Sequence, residues 1–244
     1  MNEKAMQTYQ EFEFCHSLQH MLEAQKAVGR TGKTFERLGA ASTKNNLLAL
    51  RSLMLEFKPQ RTLEIGLAFG ASCLTLAASH RDLNHQADRQ HVAIDPYQST
   101  VWDDTGRLAL QKAGLLEYVD IRENPSCVVL AELLAKKRNF DLIYIDGSHL
   151  FEDVFVDFYY SGRLLAPNGL MLFDDSADPH IRKVLEFIDS NFSSSYQKLD
   201  LSHLRSGLES IKFSIATILK KNQLTVYKKV GRAERPWNSK FKNF

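Results

Sequence analysis

The stretch TLEIGLAFGASCLTLA, from Thr62 to Ala77, decides the fold of this chain. It begins with apolar residues that fit a buried parallel strand, and a helical pattern follows a short turn. Gly66, Ala68 and Gly70 keep this turn free of bulky side chains, so that a ligand can approach the backbone. The first N–H groups of the helix have no partner within the helix, and they can bind an anionic group. The stretch therefore predicts a site for a nucleotide-type cofactor.

The spacing of the small residues narrows the kind of cofactor. A dinucleotide site requires G-x-G-x-x-G, whereas this chain has Glu64-x-Gly66-x-Ala68-x-Gly70 with Ser72 just beyond. The turn also lacks the Gly-Lys-Ser/Thr ending of a phosphate-binding P-loop. A dehydrogenase and a nucleoside triphosphate site are therefore both disfavoured.

Length, composition and charge place the chain among globular proteins. Its 244 residues suffice for one α/β domain, and 44% of them are hydrophobic and 25% charged. The formal net charge of +2 gives no reason to expect a nucleic-acid or membrane partner. The three cysteines form no C-x-x-C pair, and no long apolar run or leader-like segment is present. We therefore expect reduced thiols and a cytoplasmic location.

After Pro59, short apolar runs alternate with helical patterns, which predicts a parallel sheet flanked by helices. The predicted fold is a doubly wound, mostly parallel α/β sheet of seven strands. The predicted strands are 61–65, 92–94, 118–122, 142–145, 171–173, 196–201 and 224–229. The predicted helices are 72–79, 102–113, 128–137, 151–165 and 181–191.

The first sixty residues are expected to be helical and to lack strands. One helix is predicted from Gln7 to Val28, and a second begins at the Ser42-Thr43 cap and stops before Pro59. We therefore predict a helical N-terminal extension, 1–58, before a single cofactor-binding domain, 59–231. The tail, 232–244, is expected to pack on the domain or on another subunit.

Acidic residues follow three of the predicted strands, where ligands bind in open α/β sheets. Asp95 ends the second strand, and its carboxylate suits the two hydroxyls of a ribose. Asp146 and His149 follow the fourth strand, and Asp174-Asp175 follow the fifth. Carboxylates crowded into one volume need compensation, and an all-oxygen site suits Mg²⁺, Mn²⁺ or Ca²⁺. The alternative, that one or two of these aspartates cap helices or bind amide groups of the loops, stays open.

These motifs together resemble a known family. The turn resembles motif I of class I S-adenosylmethionine-dependent methyltransferases, with Ala68 in place of the middle glycine. The order Glu-x-Gly, Asp, Ile-Asp-Gly-Ser-His, Leu-Leu-x-Pro-x-Gly, Asp-Asp is similar to that of the metal-dependent small-molecule O-methyltransferases. The resemblance spans about Thr62 to Asp175, and it implies a Rossmann-like methyltransferase fold.

The resemblance also implies roles for individual residues. The residues implied for the cofactor S-adenosyl-L-methionine are Glu64, Gly66, Ala68, Gly70, Ser72, Asp95, Ser126 and Asp146. Ser126 would lie beside the adenine, although the preceding Asn124-Pro125 departs from the family pattern. Asp146, Asp174 and Asp175 match the metal ligands of the family, and Mg²⁺ is the expected ion. The catalytic residues would be Asp146 and His149.

The expected reaction is methyl transfer to a small hydroxylated acceptor, such as a natural product, a sugar or a catechol. A hydroxyl is a weak nucleophile at neutral pH, so a metal that lowers its pKa and a base that takes its proton would both help. His149 is the candidate base, because imidazole titrates near neutral pH; a purely hydrogen-bonding role is the alternative. A metal-independent methyltransferase and a non-catalytic cofactor- or partner-binding module also stay open. A homo-oligomer that uses the terminal segments is compatible with the sequence.

Overall fold

The fold is that of a computed structural model, which describes residues 10–88, 90–204 and 223–244. Its α-helices are α1 (His16–Ala24), α2 (Lys44–Phe57), α3 (Ala71–Asp82), α4 (Thr105–Lys112), α5 (Ser126–Ala135), α6 (Phe151–Leu164) and α7 (Pro179–Asn191). Its strands are β1 (Lys26–Val28), β2 (Thr34–Glu36), β3 (Thr62–Ile65), β4 (His91–Ile94), β5 (Val119–Arg122), β6 (Phe140–Ile145), β7 (Leu165–Phe173), β8 (Tyr196–Lys198) and β9 (Thr225–Lys229). Short 3₁₀ turns lie at Gln10–Phe12, Leu116–Tyr118 and Ser202–Leu204.

Seven strands form one sheet in the order β5-β4-β3-β6-β7-β9-β8. The pairs β3–β6, β6–β7 and β4–β5 are parallel, and β9 runs antiparallel to both β7 and β8. Every residue of β3 and β4 is buried, as expected for parallel strands covered on both faces. This is the predicted doubly wound, mostly parallel sheet, and each of the seven predicted strands overlaps one of its members.

The chain divides into two compact units. One unit consists of residues 1–60 and 66–125, and the other of residues 61–65 and 126–244. The first contains β4, β5 and the turn that follows β3, and the second contains β3 and β6 to β9. The boundaries predicted at residues 58 and 231 stay predictions.

The prediction that the first sixty residues lack strands is wrong. Helix α1 covers only His16–Ala24, and β1 and β2 then pair as an antiparallel hairpin in which Ala27 faces Phe35. Residues 7–9 of the predicted first helix lie outside the described residues. Two strands of three residues each are too short to show an alternating pattern, and contacts elsewhere in the fold stabilise them. Phe35, for example, packs edge-on against Phe69, whose ring in turn packs against Trp102.

The second predicted helix and the tail behave as expected. The Thr43 hydroxyl accepts a hydrogen bond from the Asn46 backbone at the start of α2, which confirms the cap. In the tail, Phe244 packs edge-on against Phe187 of α7 with ring centroids 5.1 Å apart.

No helix in the described ranges has the length and apolar character needed to cross a membrane.

Candidate active site

The turn after β3 has the backbone conformation that its small residues allow. Gly66, Ala68 and Gly70 all have positive φ, at 97°, 43° and 87°. Gly70 directly precedes α3 and offers no side chain to cap the helix. The start of α3 therefore has no side-chain cap from Gly70, and the binding of an anionic group there stays a prediction.

Asp95 fixes this turn from the end of β4. Its side chain is 4% exposed, and one carboxylate oxygen accepts hydrogen bonds from the backbone N–H groups of Leu67 at 3.2 Å and Ala68 at 2.8 Å. The other oxygen accepts a bond from the Tyr97 N–H at 2.8 Å. Gln98 Nε2 donates a longer hydrogen bond, at 3.5 Å, to the oxygen that binds Leu67 and Ala68. Asp95 therefore holds the turn in shape, and its role toward a ribose stays a prediction.

Two further residues of this region were not identified from the sequence. Gln98 is fully buried, and its side-chain amide donates a hydrogen bond to the Ala68 carbonyl at 2.7 Å. Gly106, in the first turn of α4, approaches Gly70 so closely that a Cβ on Gly70 would lie 3.0 Å from the Gly106 Cα. A single glutamine or glycine in a loop gives no recognisable signal, because its role depends on contacts distant in sequence.

The other predicted cofactor residues lie on regular elements. Glu64 is fully buried within β3, and Ser72 is buried in the first turn of α3. Ser126 begins α5 and lies close enough to the carboxyl group of Asp157 on α6 to influence its pKa. The structure does not show how these three residues would contact a cofactor, so their roles stay predictions.

A group of side chains that could hold a metal ion lies at the ends of β6 and β7. The Asp146 N–H extends the strand pairing by donating to the Ile65 carbonyl at 2.9 Å, and the Asp174 N–H donates to the Ile145 carbonyl at 3.0 Å. Candidate ligand atoms of Asp146, His149 and Asp175 all lie within 4.8 Å of one another. His149 Nε2 is 3.3 Å from the Asp175 carboxylate, and the two side chains are 47% and 40% exposed. Two carboxylates and one imidazole are a donor set that fits a divalent cation.

Asp174 is placed differently from Asp175. It is buried, the Tyr144 hydroxyl donates a hydrogen bond to one of its carboxylate oxygens, and the Asp175 N–H donates to the other at 2.8 Å. Of the three aspartates predicted as metal ligands, Asp146 and Asp175 therefore belong to the compact group, together with His149. Asp174 as a direct ligand stays a prediction.

Asp157 is a buried carboxyl group that the sequence did not single out, because it lies on an otherwise amphipathic helix. Its side chain is 1% exposed, and burial raises its pKa to about 7. The nearby Asp153 also raises the pKa, whereas the Ser126 side chain lowers it. The folded protein therefore binds the proton of the Asp157 carboxyl group more tightly than the unfolded chain does. The free energy of unfolding consequently decreases as the pH rises from about 4 to about 7.

Replacing Asp157 with asparagine should therefore stabilise the protein at pH 8 and change its stability little at pH 4. The expected gain at pH 8 is at most about 4 kcal/mol, from about 3 pKa units at 1.36 kcal/mol each. Urea unfolding at both pH values measures it. Glu152→Gln, at an exposed position of the same helix, should leave the pH dependence as in the wild type. Equal pH dependence of Asp157→Asn and the wild type would show that Asp157 does not titrate in this range.

Comparison with known proteins agrees with the fold. Residues 63–176 match a family described as a methyltransferase domain. The O-methyltransferase TomG from Streptomyces achromogenes, solved in complex with SAM, superposes with a TM-score of 0.62 at 18% identity, covering 88% of this chain and 90% of that chain. An O-methyltransferase from Bacillus cereus, solved with SAH, gives a TM-score of 0.59 at 19% identity, covering 79% and 84%.

Curated relatives match a shorter part. Caffeoyl-CoA O-methyltransferase 1 of Eucalyptus globulus is 27% identical over 130 residues, which cover 52% of this chain and 49% of that protein. Tricin synthase 2 of Oryza sativa subsp. japonica is 34% identical over 102 residues, which cover 40% and 32%. The chain thus spans about half the length of the first of these relatives, and a third of the second.

Proposed function

We propose that this chain is an S-adenosylmethionine-dependent O-methyltransferase. Residues 63–176 match a family described as a methyltransferase domain, and the fold superposes on that of an O-methyltransferase solved with SAM, which supports the proposal. The proposed acceptor is a small hydroxylated molecule, and a divalent cation assists the reaction. The observation that carries the metal part is the group of Asp146, His149 and Asp175 at the ends of two neighbouring strands. A cytoplasmic location and a homo-oligomeric state are further predictions.

The turn after β3 supports the cofactor part of the proposal. Its positive-φ residues and the uncapped start of α3 present backbone N–H groups rather than side chains, which suits the carboxylate of a methionine moiety. In this proposal Glu64, Gly66, Ala68, Gly70 and Ser72 bind that end of the cofactor. Asp95 binds the ribose, Ser126 lies beside the adenine, and Asp146 is the last of the proposed cofactor-binding residues.

The donor chemistry supports the metal part. Asp146 and Asp175 are the two ligands that both the sequence motif and the geometry favour, and either Asp174 or His149 would complete the set. Oxygen ligands suit Mg²⁺ and Mn²⁺, whereas an imidazole shifts the preference toward later transition metals. A bound dication would lower the pKa of an acceptor hydroxyl and help to orient it.

In the proposed methyl transfer, the protein aligns the reactants and removes a proton. The transfer needs the acceptor oxygen in line with the methyl donor, so the protein contributes mainly through alignment. With Asp174 as the third ligand, His149 would not be coordinated, and for that arrangement we propose His149 as the base that takes the hydroxyl proton. His149 Nε2 lies 3.3 Å from the Asp175 carboxylate, so this carboxylate can orient the imidazole ring.

Methyl transfer in the presence and absence of metal tests this proposal. The protein would be incubated with S-adenosylmethionine and a panel of catechols, other phenols and sugars, and the release of S-adenosylhomocysteine measured with Mg²⁺ and with EDTA. We expect release that needs both an acceptor and the metal. Release that persists in EDTA would instead support a metal-independent methyltransferase. Absence of release with every acceptor, from a protein that binds the cofactor, would favour a non-catalytic binding module.

A further inference from the structure

Gln98 is a buried polar residue to which the methyltransferase motifs assign no role. It lies between β4 and α4, it is 0% exposed, and both ends of its side-chain amide are hydrogen-bonded. We propose that Gln98 is a positioning residue that holds the turn after β3 in its ligand-binding shape. This inference rests on the proposed function, because it assumes that this turn binds an S-adenosyl ligand.

The Ala68 peptide groups are the point at which Gln98 acts. Ala68 has φ 43°, a left-handed conformation that is strained for an alanine. Its N–H donates to the Asp95 carboxylate at 2.8 Å, and its carbonyl accepts from Gln98 Nε2 at 2.7 Å. Both the N–H and the carbonyl of Ala68 are therefore hydrogen-bonded, which offsets the backbone strain. Gln98 supplies the hydrogen bond to the carbonyl.

The other end of the Gln98 amide connects the turn to helix α4. Gln98 Oε1 accepts a hydrogen bond from the Gly106 N–H at 3.1 Å, and the Gln98 backbone carbonyl accepts one from the Asp104 N–H at 2.7 Å. A Cβ on Gly106 would lie 3.0 Å from the Ala68 carbonyl oxygen, so the two segments are in close contact. The Gln98 side chain thus connects the turn to the start of α4 by hydrogen bonds to both.

This arrangement predicts an effect on ligand affinity beyond an effect on stability. Without the Gln98 donor, the Ala68 carbonyl has lost the partner that holds it, and the peptide can relax out of the left-handed region. The N–H groups of the turn would then no longer be preorganised for a ligand, and binding would have to supply the reorganisation energy. Helix packing distant from the turn would be unaffected.

Calorimetric titration with S-adenosylhomocysteine tests the role of Gln98. The variant Gln98→Met keeps the approximate length of the side chain and removes its hydrogen bonds to Ala68, to Gly106 and, at 3.5 Å, to Asp95. We expect it to bind the ligand about tenfold more weakly, as for the loss of one to two hydrogen bonds. The matched control is Thr100→Val in the same loop, where the exposed Thr100 hydroxyl bonds the Tyr97 carbonyl and does not touch the turn. The control should bind as the wild type does.

A second substitution separates positioning from general destabilisation. Glycine adopts positive φ without strain, so Ala68→Gly in the Gln98→Met background should recover part of the lost affinity if Gln98 acts through Ala68. A merely structural role would give no such recovery. Amide exchange of residues 67–70 in the ligand-free protein should also be faster in Gln98→Met and unchanged in Thr100→Val.

The outcomes distinguish this inference from the proposed function. Wild-type affinity in Gln98→Met, in a protein whose wild type binds the ligand, would overturn the role of Gln98 and leave the proposed function intact. If the wild type does not bind the ligand, the proposed function fails. In that case, amide exchange at residues 67–70 that is equal in Gln98→Met and in the wild type would also reject the positioning role. Faster exchange in Gln98→Met would support the conclusion that Gln98 stabilises the turn, without any role in ligand binding.

Discussion

Replacing Gly70 with alanine is expected to weaken binding of S-adenosylhomocysteine by about a hundredfold or more and to destabilise the fold. Gly70 has φ 87°, and the added Cβ would lie 3.0 Å from the Gly106 Cα and 3.3 Å from its carbonyl oxygen. Left-handed strain costs about 1–2 kcal/mol, and overpacking adds about 1–3 kcal/mol. Both effects act at the residue that directly precedes α3, so the turn would have to move. Calorimetric titration and urea unfolding measure the two losses.

Gly32 provides a matched control for this prediction. It has the same φ of 87°, yet no atom lies within 4 Å of the position that a Cβ would occupy. Gly32→Ala should therefore show only the cost of left-handed strain and leave ligand affinity unchanged. If Gly70→Ala and Gly32→Ala had equal effects, the close packing between Gly70 and Gly106 would not be responsible.

The second large effect is expected at the metal-binding group. Asp146→Asn and Asp175→Asn should each weaken Mn²⁺ binding by about a hundredfold or more, because even residues that only support a metal ligand commonly contribute 10- to 100-fold. Both variants should also lose metal-stimulated methyl transfer. Mn²⁺ titration followed by electron paramagnetic resonance measures the affinity without any need for an acceptor.

Asp178→Asn is the control for a general loss of negative charge. Asp178 lies three residues after Asp175 and caps α7 by accepting a hydrogen bond from the His180 N–H. Asparagine caps helices as well as aspartate does, so this variant should keep both its fold and its Mn²⁺ affinity. Equal loss of Mn²⁺ in Asp178→Asn and Asp175→Asn would indicate diffuse attraction rather than coordination.

Variants at Asp174 and His149 identify the third ligand. Loss of Mn²⁺ affinity in Asp174→Asn would support the three-aspartate set that the motif implies. Loss in His149→Gln would instead make the imidazole a ligand. A His149→Gln variant that keeps its metal and loses about 10²- to 10⁴-fold in methyl transfer would support the role of general base.

Much of this fold can be predicted from the sequence, because its strands are short apolar runs and the turn after β3 has a distinctive pattern. The carboxylates also follow the strands as predicted, since ligand sites of parallel sheets lie at those strand ends. The sequence predicts strand β7 only as 171–173, because Asn168-Gly169 is typical of a turn, whereas the strand begins at Leu165 and continues through these residues. Its register against β6 shifts between Phe140 and Leu142, which accommodates these residues.

The rest depends on contacts between residues far apart in the chain. The β1–β2 hairpin is held against the loop after β4, where the Thr31 hydroxyl donates to the Asp103 carboxylate at 2.7 Å and Arg30 pairs with Asp104 at 3.0 Å. Sequence periodicity cannot reveal such pairings. The same holds for Gln98, because its side-chain hydrogen bonds to Ala68, Asp95 and Gly106 exist only in the folded chain.

Calorimetric titration of the wild-type protein with S-adenosylhomocysteine, beside a parallel titration with NAD, tests the central claim most directly. The turn after β3 and Asp95 lead us to expect saturable binding of S-adenosylhomocysteine at one site per chain and no heat of binding with NAD. Binding of NAD, or no binding of S-adenosylhomocysteine by folded protein, would contradict the methyltransferase assignment.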